Sequence, residues 1–130
     1  MNTKQKEVKL LNIQMWTTII YIGSLFISIS LTYNDKQNLL NKESIYSENQ
    51  SQKLSIGNRW LVLFLTLSYL FINYKNINLA KEKDQKLWPF YLQAFSSELS
   101  TIASIIVLYV VIKTAGEQYS IVSGIENPTL

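Results

Sequence analysis

The 130-residue sequence contains no cysteine and no histidine. Within this chain that excludes disulfides, thiol nucleophiles, Cys/His zinc sites and haem held by histidine. It also removes the side chain that most often shuttles protons near neutral pH. Glycine is scarce, with four residues scattered singly, so no Gly-rich loop is available to cradle a phosphate. No metal-ligand signature, nucleophile elbow or internal repeat is present. A net charge of +3, dispersed along the chain, gives no basic stripe for nucleic acid. Neither a cofactor nor a metal is expected, and neither is an enzyme. Catalysis would have to rest on Glu98, Asp84 or hydroxyls without an evident base. Arginine is nearly absent too: Arg59 stands alone against eleven lysines, and Asn and Ile are abundant. That bias suits an AT-rich bacterial genome.

What the chain does have is apolar sequence in three blocks, 16–33, 60–74 and 99–112, separated by polar and charged stretches. A water-soluble helix keeps a polar face, whereas 19–31 and 61–72 carry no charge on any face. A helix apolar all round lies deep in a large core or in lipid, and a chain this short cannot bury three. The expected fold class is therefore all-α, a single domain of three transmembrane helices in an antiparallel bundle. The spans are expected at about 14–34, 57–75 and 93–114, with a polar loop at 35–56, a charged neck at 76–88 and a polar tail at 116–130.

The second and third strict runs are shorter than the ~20 residues a span needs, and interfacial flanks must supply the rest. Nine Leu, Ile or Val residues lie in 99–112. At ~0.3–0.6 kcal/mol each they favour insertion by about 3–5 kcal/mol, against about 2.5–3.5 for an acid at the helix centre. Glu98 precedes that run, where its cost falls, so the third helix should insert with the acid in place.

Aromatic residues bracket the runs as interfacial belts do, and Trp16, Tyr33, Trp60, Tyr74 and Trp88 are the expected anchors. Ser24, Ser28 and Thr32 form a small-xxx-small series that lets another backbone approach closely. Ser96, Ser100 and Ser104 repeat that spacing in the third helix, the richest small-residue face in the chain. Asn58 reads as an N-cap for the second span. The second helix is expected to run on to about Lys86 and stop before Pro89, which can itself open the next helix as a hairpin.

Near the spans, an N-terminus-inside topology places seven lysines in the cytoplasm and five basic residues outside. The expected location is thus a bacterial cytoplasmic membrane, multi-pass, with the N-terminus cytoplasmic and the C-terminus outside. The expected partners are the lipid bilayer together with a second copy of the chain or another membrane protein. The leading functional expectation is an interaction or accessory subunit, or an immunity-type protein, packing through the third helix. The alternative is an oligomeric pore former of holin-like character, for which the weakly charged tail is a poor match, or a small ion or proton conductor. The conductor would use Glu98, the one candidate intramembrane acid.

Overall fold

The computed structural model describes residues 2–114, which fold into three helices: α1 (Thr3–Leu39), α2 (Glu48–Glu82) and α3 (Trp88–Thr114). Each is long and apolar enough to cross a membrane. At ~1.5 Å per residue they extend about 55, 52 and 40 Å, against ~30 Å of bilayer hydrocarbon. Two of the three therefore project well past any membrane they cross. The tail at 116–130 lies outside the described residues.

Local chemistry sets the helix limits. A capping box opens α1: the Gln5 N–H donates to Asn2 Oδ1 at 2.8 Å, and the Asn2 N–H donates back to Gln5 Oε1 at 3.0 Å. Ser47 and Gln50 repeat the device at the start of α2. At the C-termini of α1 and α2 the chain turns through a left-handed residue, Asn41 (φ 54°) and Asp84 (φ 58°), the residue types that best tolerate it after glycine. In each case the following N–H reaches back five residues: Lys42 to the Gln37 carbonyl and Gln85 to the Ala80 carbonyl, both at 2.9 Å.

These caps move the boundaries. The interval 35–56 is largely helical, with only residues 40–47 connecting α1 to α2. The second helix stops at Glu82, four residues before Lys86, because the turn at Asp84 ends it ahead of Pro89. Pro89 falls in the first turn of α3, where its missing N–H costs nothing.

The three helices run antiparallel with α2 in the middle. Both α1 and α3 pack on it, and they make no close backbone approach to each other. Among the described residues, six of the fourteen buried ones are polar (Thr17, Ser24, Asn34, Asn58, Ser97 and Thr101), while Phe26, Ile29, Ile106 and many other large apolar side chains face outward. A water-soluble protein is arranged the other way round. With lipid outside there is no hydrophobic force between helices, so small residues and interhelical hydrogen bonds hold them together.

Candidate functional site

The polar groups gather at two levels along α2. Toward its N-terminal half, Asn58 lies buried against α1. Ser24 Oγ donates to Asn58 Oδ1 at 2.8 Å, and Asn58 Nδ2 donates to Ser28 Oγ at 3.0 Å. The amide thus bridges two turns of α1. Ser24 is 2% exposed and Ser28 half-buried, whereas Thr32 is exposed and returns its hydroxyl to the Ser28 carbonyl at 2.9 Å. Asn58 does not cap α2, which begins ten residues earlier at Glu48.

At the other end of the apolar part of α2, Asn73 and Tyr74 engage α3. Asn73 Nδ2 donates to Ser97 Oγ and to the Gln93 carbonyl, and Tyr74 OH donates to Glu98 Oε1. Glu98 is half-buried, and its partner Tyr74 immediately precedes Lys75, which closes the charge-free segment of α2 that starts after Arg59. The acid is therefore level with the end of that segment, not its centre. A carboxylate at such a boundary keeps access to water and to a hydroxyl donor, so placing it there costs less than at the centre of the span.

The face of α3 that meets α2 is made of Ala94, Ser97, Thr101 and Leu108. It lies one residue over from the stripe of Ser96, Ser100 and Ser104. Ser96 and Ser100 face outward, and Ser104 is half-buried. The anchors Trp16, Tyr33, Trp60, Tyr74 and Trp88 are all exposed, by 46% to 67%, as residues that meet an interface must be.

No family model, curated protein or solved structure matches the chain. Among the described residues no cluster of acids could hold a metal ion. Asn58 and Tyr69, whose OH shares a hydrogen bond with Thr18 Oγ1 at 3.2 Å, stand eleven positions apart, or ~16 Å of helix. Leu65, 1% exposed, fills the middle of that interval. The polar contacts are separate clasps along α2, not one continuous path.

Two further clasps lie at the ends. At the N-terminal end, Lys6 Nζ pairs with Glu82 Oε1 at 2.8 Å, Thr3 Oγ1 donates to Glu82 Oε2 at 3.2 Å, and Lys83 pairs with Glu7. The hydrogen bond from Lys6 holds the Glu82 carboxyl below its ordinary value. At the opposite end Asn34 is fully buried. Its Oδ1 accepts the Tyr46 N–H at 2.9 Å, and Tyr46 OH donates to Ser30 Oγ at 3.2 Å, which pins the 40–47 connection to α1. Burial beside this latch raises the Asp35 carboxyl above its usual range.

Asn73 and Asn34 escaped sequence reasoning, and Asn58 was given another role. For Asn58 and Asn73 the available signal was an asparagine inside an apolar helix: a buried amide needs partners, so it marks a helix–helix contact.

Proposed function

We propose that the chain is a small multi-pass membrane protein that works by packing against another membrane protein or a second copy of itself, not by catalysis. One observation carries this reading. The interior amides of α2 are spent on holding α1 and α3, while Ser96 and Ser100 face outward on a helix whose backbone, among the described helices, lies close only to α2. A face of small residues suits the close approach of a further helix. In this reading the protein is an accessory subunit or an immunity-type protein of a bacterial cytoplasmic membrane. Its N-terminus is cytoplasmic and its C-terminus outside.

A second reading, an oligomeric pore or a proton or cation conductor, draws on Glu98, the one acid within the three expected spans. The apolar interval around Leu65 counts against conduction through one chain, so this reading needs several copies to line a path. The two readings separate on membrane permeability to a small dye and to protons during expression, for the wild type and Glu98→Gln. The interaction reading expects tight membranes in both cases with the protein present in the membrane. Leakage in the wild type that disappears in Glu98→Gln would overturn it and make Glu98 the conducting group.

A further inference from the structure

The two ends of the molecule differ in how their charges are used. The contacts between Lys6 and Glu82 and between Glu7 and Lys83 bring the start of α1 and the end of α2 to one level, with the turn at 83–87 beside them. Seven lysines meet there: Lys4, Lys6, Lys9, Lys75, Lys81, Lys83 and Lys86. Three acids accompany them, and two of these, Glu7 and Glu82, are spent on Lys83 and Lys6. Lys4, Lys9, Lys81 and Lys86 are exposed and make no ion pair among the described residues, while Lys75 folds over the Phe71 ring at 5.6 Å. Sequence positions more than seventy residues apart are thereby gathered into one cationic rim.

We infer that this rim is a binding surface for the phosphates of anionic phospholipids. Its depth distinguishes lipid from an acidic protein. Lys9 directly precedes the charge-free stretch of α1 at 10–34, Lys75 directly follows that of α2, and Lys86 stands two residues before the exposed Trp88. The ammonium groups therefore lie where the apolar surface ends, at the headgroup plane, each on a flexible stem that reaches a phosphate as a point charge. Clusters of this size next to a span attract anionic headgroups through additive, salt-screened steps. The opposite end is less suited. Its described residues hold five basic groups against three acids, and Lys113 is occupied over the Tyr109 ring at 5.7 Å. This surface depends on membrane insertion but not on any partner at Ser96 and Ser100.

The test is native mass spectrometry of the purified full-length protein, released from micelles titrated with phosphatidylglycerol or phosphatidylcholine. Wild type should retain phosphatidylglycerol over phosphatidylcholine, less so as salt rises. Each lysine removed should weaken that retention about fivefold. The quadruple variant Lys4→Gln, Lys9→Gln, Lys81→Gln, Lys86→Gln should lose on the order of a hundredfold or more. These four side chains make no ion pair among the described residues, so helical content by circular dichroism should stay unchanged. The matching variant at the other end, Lys36→Gln, Lys42→Gln, Lys53→Gln, should retain most of the binding. Equal retention of the two lipids, or equal losses from the two variants, would overturn the proposal. So would displacement by the same concentration of inorganic phosphate, or by a polyglutamate peptide at equal charge, the second result indicating an acidic protein partner.

Discussion

The two interfaces of α2 are built from different materials. Of the four residues that α1 buries completely, three are polar: Thr17, Ser24 and Asn34, with Leu10 the exception. On α3 the balance is even, with Ala94 and Leu108 beside Ser97 and Thr101. The connection is also tighter on the α3 side, residues 83–87 against 40–47. The α2–α3 hairpin is thus a close-packed unit, and α1 is an added helix secured at discrete points by Asn58, by the ion pairs near Glu82 and by the Asn34 latch. Close packing resists changes of volume, whereas clasps fail one at a time when their donors are removed.

The largest effect should come from overfilling the hairpin. Ala94 is 3% exposed, and Ala94→Phe should cost about 1–3 kcal/mol, measured by reversible unfolding in mixed micelles. Ser96→Phe, two residues along on the outward face, should stay within ~0.5 kcal/mol in the same assay. Equal costs would erase the distinction between the two faces of α3.

Next comes the clasp on α1. Asn58→Leu removes two interhelical hydrogen bonds, each worth ~0.6 kcal/mol on average in a membrane, so about 1 kcal/mol in total. The chain has no cysteine, so pairs introduced across α1–α2 and α2–α3 report each interface cleanly. Disulfide formation across α1–α2 should fall in this variant while that across α2–α3 is unchanged. A smaller change is expected from Glu98→Gln, which keeps an oxygen to accept from Tyr74 OH and should cost less than ~1 kcal/mol.

The smallest effect is pH-dependent and confined to the N-terminal end. Lys6 holds the Glu82 carboxyl below its ordinary 4.5, so the folded state favours the ionised form. The stabilisation is then fully present above pH 4.5 and lost as pH falls through the lowered folded value. The pair is solvent-exposed, so the loss should be slight and weakened by salt. Unfolding midpoints followed from about pH 6 to pH 3 should show it in the wild type and not in Lys6→Gln.

Three membrane-length helices were legible in the sequence because charge is so completely cleared from the three blocks. The facing of α3 was not. Serines recur at 96, 100 and 104, and hydroxyls also stand at 97 and 101, so spacing alone favours neither stripe. The choice falls to a residue on another helix: Asn73 requires an acceptor, and Ser97 meets it. Helix limits failed for a similar reason. Asparagine and aspartate in the left-handed region, at positions 41 and 84, end helices without glycine, and the Ser47–Gln50 capping box starts one inside a stretch that reads as loop.

The most direct test of a partner-binding role compares two neighbours on α3, Ser100 facing outward and Thr101 buried against α2. A photo-crosslinking residue at either position would be activated in native membranes and the products sized. The account predicts that position 100 captures a second polypeptide of defined mass, while position 101 yields only links within the chain. Capture of lipid alone at position 100 would contradict it.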